Sequence, residues 1–473
     1  MGTKVNSNYE DLISFVRASS SGRATALRPV SYGTELVTNG DFATDSDWTK
    51  GTGWSISGGQ ATHVAGTGSN LQQSVAYGSS GTIYALSVDV VSISGGSGSI
   101  QARTGGATTA KTIDGDTSGT TVTLIYVHDG LNTDVAITAG SGTSLTVDNI
   151  SVKEVLFDQP DGTLTLFEHP ENVPRVEYDA DGNRLGLLVE EQRTNLITYS
   201  EDLESSYWTK QSSVDSVDDG NIAGPDGTLS GTKVTTNAVA YVTRDTGIYS
   251  TQNSTVTFSA FLKAGSITTV GLHYAQSLGD GLNDNCDFDL SNGTVSSEGS
   301  ASTAKIKYVG NGWYRCSNTY TTNGSGTGLG VRFVVQGAGT YYVYGAQLEE
   351  GSFPTSYIKS NSGSTTTRSA DVASIPVADF GSNDSSYSML LEAISSAPDN
   401  AAGTGNNINN ITQLKSATNN YSSLGIGSTS VRTNRPSLTS RNNAATIVSA
   451  GDVASLDNTL MRGCLLSFAL HLT

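Results

Sequence analysis

Positive charge, cysteine and proline are all scarce in this 473-residue chain. Lys and Arg number 26 against 44 Asp and Glu, a formal net charge of −18. Residues 361–473 hold six Arg/Lys and seven Asp/Glu, a net of −1, so −17 lies in the first 360 residues. A surface of that sign repels phosphate backbones and anionic lipid, so neither nucleic acid nor a membrane surface is an expected partner. The three cysteines are Cys286, Cys316 and Cys464. An odd count without a close pair argues against a disulfide framework and against a zinc site. Cys286 and Cys316 fall in one module and read as buried thiols. No apolar run approaches the roughly 18 residues of a membrane span, and the start, "MGTKVNSNYEDL", is polar. The expectation is a soluble chain made in a cytoplasm, with no membrane insertion.

Catalytic signatures are missing too. The five histidines (His63, His128, His169, His273, His471) are scattered and show no metal spacing. There is no G-x-S-x-G, no phosphate loop and no dinucleotide fingerprint, and runs such as "NGSGTGLG" sit between strand patterns as turns. "DGLNDNCDFD" gathers Asp280, Asp284, Asp287 and Asp289, and "DADGN" holds Asp179 and Asp181. A glycosidase needs two carboxyl groups across a groove, one of them in apolar surroundings, and these runs are turn-like. Calcium suits such oxygen-rich turns better, yet solvated turns are the simpler reading. The expectation is a protein that is not an enzyme.

What is present is strand chemistry. There are 54 glycines and only 15% charged residues, and 36% of the chain is apolar, enough for several small cores. "LVTNGDFATDSDWTK" (36–50) echoes in "LITYSEDLESSYWTK" (196–210). The closings match as well: "VDNISVKEVLF" (147–157) aligns with "VYGAQLEEGSF" (343–353), Val147 with Val343, Val152 with Leu348, Glu154 with Glu350 and Phe157 with Phe353. Between them lie short alternating runs such as "TIYALSVDVVSIS" and "TVTFSAFLKAG". Alternation over five to eight residues with turns every ten or so indicates antiparallel strands. The chain is expected to be all-β, with tandem antiparallel β-sandwiches of jelly-roll type. Trp48 and Trp208, equally placed after the opening strand, read as core anchors, together with Trp313 and Cys316.

The wording of "RVEYDADGNRLGLLVEEQRTNLITYSEDLESSYWTK", "NGWYRCS" and "YGAQLEEGSFPTSYI" resembles a module of tailed-bacteriophage virion proteins, the fibre and decoration proteins, over about 174–360. "SFVRASS" resembles the same family's N-terminal phrase, from which residues 36–157 separate the rest here. "ELVTNGDF…W…VDNISV" is similar to jelly-roll carbohydrate-binding modules, and "SADVASIPVADF" with "SYSMLLEAIS" resembles the opening of a concanavalin-like or laminin-G-like sandwich.

The organisation these resemblances imply begins with an attachment segment, 1–35, and an inserted sandwich, 36–157. A connector (158–195), a phage-type sandwich (196–360), and a linker with a partial third sandwich (361–473) follow. Relatives of the carbohydrate-binding type hold a structural calcium through an acid after the first-strand Phe and another in the last strand. Asp148 fits the last-strand position and Asp41 lies beside Phe42, but Ala43 stands where Glu is expected. In the second copy Tyr344 and Gln347 occupy the closing strand, and these departures argue against calcium in both copies.

The implied role is a structural and adhesive protein on the virion surface, assembled in the host cytoplasm without a cofactor. Its partners are other virion proteins, host-surface polysaccharide and copies of itself. Its third region is short and ends on apolar "CLLSFALHL" (464–472), and phage fibres resembling this one are commonly three-fold. A homotrimer is therefore expected. The rival readings are a glycan-degrading tail spike and a capsid decoration protein without a ligand.

Overall fold

The structure, a computed structural model, describes residues 14–17, 24–104, 108–249, 253–276, 285–322, 328–360 and 363–374, and the backbone of six strands between 386 and 471. Residues up to Ser374 form one compact unit and those from Ile375 a second. The fold is all-β, and its described sheets are antiparallel.

In the first unit two sandwiches follow one plan. The back sheet of the first runs Thr120–Val127, Ile83–Ser94, Ser144–Phe157, Gln60–His63, Trp54–Ser57. Its counterpart in the second runs Trp313–Thr321, Thr255–Ala264, Gly339–Glu350, Leu229–Thr236, Val214–Ala223, with Ser302–Gly310 added at the edge. The front sheets agree as well: Thr49–Lys50, Ser69–Ser74, Asn132–Ala139, Gly98–Thr104 and Thr108–Ile113 in the first. In the second they are Thr209–Lys210, Val239–Tyr249, Leu329–Gln336, Thr269–Gln276 and Cys286–Asp289, with Thr294–Glu298 added.

The match extends to single bonds. Leu36 N donates to Val152 O at 3.0 Å and Leu196 N to Leu348 O at 2.8 Å. Trp48 Nε1 donates to Asn39 O at 3.0 Å, and Trp208 Nε1 to Tyr199 O at 2.9 Å. Both closing strands slip register at the same place, between Asp148 and Ser151 and between Tyr344 and Gln347. The bulge turns on Asn149 in one copy, with φ 50°, and on Gly345 in the other, with φ 65°. Glycine and asparagine are the residues that enter this left-handed region most easily. The repeated phrase therefore encodes one frame used twice.

Each sandwich closes on its own core. Trp48, Phe42, Leu71, Leu86 and Val152 belong to the first, and Trp208, Phe258, Phe333, Cys316 and Leu348 to the second. Cys286 and Cys316 are free, buried thiols. Trp313 is also fully buried, but against a different partner. It lies outside the sandwich core, under a two-stranded ribbon formed by Ala24–Tyr32 and Thr163–His169, which pair antiparallel with Leu27 opposite Leu166. Side chains alternate across a strand, so the ribbon has two apolar faces. Leu27 and Leu166 cover Phe261, Trp313 and Tyr344 of the second sandwich. Val30 and Phe167 cover Ala85, Ile125 and Val155 of the first. Residues assigned from sequence to an attachment segment and a connector thus meet as one layer. The first sandwich leaves this layer after Tyr32 and rejoins it by Val155, paired to Tyr32.

Described residues 363–374, within the Ser/Thr/Gly-rich linker and the start of the third region as read from sequence, belong to the first unit. Thr366–Arg368 pairs with Arg193–Asn195, and Asp371–Ser374 pairs with Ser14–Arg17. Arg17, Arg175 and Arg368 are 1%, 0% and 0% exposed, and they surround Glu190 and Asp371. Arg175 Nη1 lies 2.9 Å from Glu190 Oε2, and its Nη2 bonds Asp371. Burial alone would push the Glu190 carboxyl up, but Arg175 and Arg368 outweigh it and hold it at about 2.

In the second unit Ser386–Leu391 pairs with Leu466–His471, and Ile408–Lys415, Tyr421–Thr429, Arg432–Asn442 and Ala445–Ala450 form a four-stranded meander. The apolar terminal run thus finds a strand partner within its own chain. Among the described residues no helix is long and apolar enough to cross a membrane.

Candidate functional site

The frame shared by the two sandwiches separates what folding needs from what it leaves open. Inward positions of the front sheets stay apolar: Leu71 corresponds to Val242, Ile137 to Phe333, and Ile100 to Leu272, all buried. Outward positions change wholesale. Asn70 becomes Tyr241, Ala136 becomes Arg332, Gln101 becomes His273, Ser99 becomes Gly271 and Thr112 becomes Asp287. Core packing cannot account for a face that the core does not touch.

In the first sandwich this face is a self-contained polar net. Arg103 Nε donates to Gln101 Oε1 at 3.0 Å and Nη1 to Gln72 Oε1 at 3.1 Å. Gln101 Nε2 reaches Ser99 Oγ at 2.8 Å, and Ser99 Oγ bonds Thr138 Oγ1 at 2.8 Å. In the second sandwich the outward side chains instead form two walls. The Arg332 guanidinium lies over the Tyr241 ring, 5.0 Å from its centre. His273 Nε2 and Asp287 Oδ1 share a hydrogen bond of 2.8 Å. Val334 and Gly271 stand in line with Tyr241 and Asp287 across adjacent strands, and the His273–Asp287 pair lies over Gly271. A methyl group on Gly271 would sit 2.4 Å from His273 Nε2 and 2.5 Å from Asp287 Oδ1, so only glycine admits that wall. The outward face of the second front sheet thus carries a guanidinium–aromatic pair and an imidazole–carboxylate pair, planar donors and acceptors of the kind that suit a polyhydroxylated ligand.

No known family model matches this chain, and no curated protein is similar to it in sequence. Among solved structures, the N-terminal CBM22-1–CBM22-2 tandem domain of Xyn10C from Paenibacillus barcinonensis is similar at 11% identity. It covers 69% of this chain and 100% of its own, with a TM-score of 0.22. The vicilin from Solanum lycopersicum (tomato) is 9% identical over 59% of this chain and 81% of its own, with a TM-score of 0.12. The vicilin from Solanum melongena is 9% identical over 79% and 89%, with a TM-score of 0.13. At these scores the likenesses carry no weight for function, and the site stands on its own geometry.

Of the residues singled out from sequence as candidate ligands or core anchors, Asp287 lies on this face and the others that are described fall elsewhere. Trp48, Trp208, Trp313 and Cys316 are 7%, 1%, 0% and 0% exposed. Asp41 Oδ1 accepts from Ala43 N at 3.3 Å, and Asp148 Oδ1 from Asn149 N at 2.7 Å, so each carboxylate bonds its own turn. Asp289 likewise binds Ser291 and Asn292, whose donors hold its carboxyl at about 2. Asp280 and Asp284 lie outside the described residues. Among the described residues no three His, Cys, Asp or Glu side chains gather as a metal would require. The Asp219 carboxyl is raised by burial and by its contact with Asp202, and that of Asp226 by burial and the charge of Glu201. Tyr241, Arg332 and His273 were missed because one outward residue in an alternating strand looks like any other. Only superposing the second copy on the first would have exposed them.

Proposed function

We propose that this chain is a non-enzymatic structural and adhesive protein of a tailed-phage virion, displayed on the particle surface after assembly in the host cytoplasm. Its second sandwich binds a host-surface glycan on the outward face of its front sheet. One observation carries the adhesive part: within a duplicated frame, the second face trades a self-bonded polar net for the Tyr241–Arg332 and His273–Asp287 pairs. The virion part follows from the resemblance of residues 174–360 to phage fibre and decoration proteins. Many copies on one particle supply avidity, so each face needs only weak affinity.

Retention of the full chain on immobilised capsular and lipopolysaccharide preparations tests the reading. Arg332→Ala is expected to weaken retention about tenfold, the loss of one good charged hydrogen bond. Retention by none of the glycans, or retention unchanged in the variant, contradicts it. Release of oligosaccharide during incubation would favour the tail-spike reading instead. We also propose a homotrimer, which light scattering would contradict by a mass near 49.0 kDa.

A further inference from the structure

We infer that the opening loop of the second sandwich is a proton-set clasp, closed by a proton shared between Asp202 and Asp219 and loosened when that proton leaves. The clasp would exist whether or not the sandwich binds a glycan.

A break in strand register aims Asp219 at the loop. Val214–Ala223 pairs with Leu229–Thr236 as far as Asp218, opposite Lys233, and resumes at Ile222, opposite Gly231. Residues 219–221 fall in the break, with Gly220 at φ 65°, and such a bulge turns a side chain out of its row. The Asp219 carboxyl accepts from Leu203 N at 3.3 Å and Glu204 N at 2.9 Å, and Thr232 Oγ1 also donates to it. Glu204 answers, its Oε1 accepting from Asp219 N at 3.0 Å. Asp202 Oδ1 accepts from Ser205 N at 2.7 Å, and its carboxyl hydrogen-bonds that of Asp219. Three acids thus crowd one loop. Lys210 lies beside them, but its Nζ donates to the carbonyls of Glu204 and Ser205, at 2.7 and 2.8 Å. Asp218, next along the strand, accepts from Ser216 Oγ instead.

Two carboxylates in contact repel each other, so one keeps a proton and donates it to its neighbour. Burial pushes the Asp219 carboxyl up to about 6; bonds from Thr232 and Glu204 N pull against it, and Asp202 adds to it. The folded pair therefore keeps its proton above the ordinary 3.8 of an aspartate. The clasp is whole below about 3.8 and is lost as pH rises through about 6.

The first sandwich pins its opening loop through a neutral amide. Asn39 Nδ2 donates to Thr44 O at 2.8 Å and Ser46 O at 3.0 Å, and its Oδ1 accepts from Thr44 N at 3.2 Å. The strand that corresponds to the bulged one, Trp54–Ser57, pairs without a break. In the second sandwich the loop runs straight into Thr209–Lys210, which pairs with the strand that carries Tyr241. Loosening the clasp thus frees the edge of the front sheet.

Hydrogen exchange of the full chain, corrected for the intrinsic pH dependence of amide exchange, tests this. The amides of Leu203, Glu204 and Ser205 are expected to lose about tenfold in protection between about pH 5 and about pH 7.5. Thr44, in the first sandwich's loop, should keep its protection over the same range. Asp202→Asn places a permanent N–H donor against Asp219 and can still accept from Ser205 N. That variant should hold the protection flat, at the level the unaltered chain reaches in acid. Asp219→Ala should lose it at every pH. Protection of the loop that does not change with pH in the unaltered chain overturns the clasp. So does an equal loss at Thr44, which would mean a general loosening, and so does Asp202→Asn protein that keeps the full pH dependence.

Discussion

Glu35 and Asn195 hold the same joint in the two sandwiches with different chemistry. Glu35 Oε1 accepts from Val37 N at 3.0 Å and Val152 N at 2.8 Å. Asn195 Oδ1 accepts from Ile197 N at 3.1 Å and Leu348 N at 3.2 Å. Each side chain clamps the first strand of its sandwich to the last. Asn195 is fully buried and its Nδ2 also donates to Ala346 O and Ile358 O, whereas Glu35 is exposed.

Their replacement should therefore differ. Asn195→Ala leaves buried backbone groups unpaired and should cost about 1–3 kcal/mol. In Glu35→Ala water can take over the bonds, so the cost should stay below about 1 kcal/mol. Urea unfolding of both variants compares them, and equal losses would mean that the shared clamp is not what either residue contributes.

The paired tryptophans make a second test. Trp48→Ala and Trp208→Ala should each cost about 3–5 kcal/mol, the usual penalty for deleting a large buried aromatic. The more deeply buried Trp208 should cost the more. A loss under about 1 kcal/mol at either site would place that indole in solvent.

Most of the sandwich frame was legible beforehand, because opening phrase, Trp and closing strand recur with the same apolar spacing. The ribbon was not. Its strands lie some 130 residues apart, and each alternates apolar residues that serve two different cores, a pattern that reads like any half-buried strand. Trp313 was legible as buried but not as the ribbon's partner, and Arg368 and Asp371 hid in a run whose composition reads as linker. The outward pairs on the second front sheet were illegible for the opposite reason, since outward residues follow no packing rule.

Deleting residues 36–157 across a short Gly/Ser bridge should leave a folded remainder. The two flanks of the insertion run side by side, because Tyr32 pairs with Val155 and Asp158 N donates to Pro29 O at 3.1 Å. The ribbon face carrying Val30 and Phe167 would lose its cover, so the remainder should melt lower while keeping one cooperative transition. Loss of cooperativity would mean that the first sandwich is part of the remainder's fold.

Acid should loosen the ion cluster. The Glu190 carboxyl titrates lower in the folded chain than its ordinary 4.5, so it binds protons less readily than in the unfolded chain. Its contribution is present above about 4.5 and lost as pH falls toward 2. Glu349, raised by burial, acts with the opposite sign and contributes most at low pH. The melting temperature should fall as pH drops through Glu190's window, and Glu190→Gln should be less stable near neutrality with a flatter acid slope. An unchanged slope in that variant would remove Glu190 from the account.

The central claim, that one face of a duplicated frame has been turned into a glycan site, is tested most directly by a crystal structure of the full chain with its preferred sugar. The expected result is a ring on the outward face of the second sandwich's front sheet, within hydrogen-bonding distance of Arg332 or of the His273–Asp287 pair. A ring on the first sandwich's front sheet, or one bound only at the loops, would contradict it.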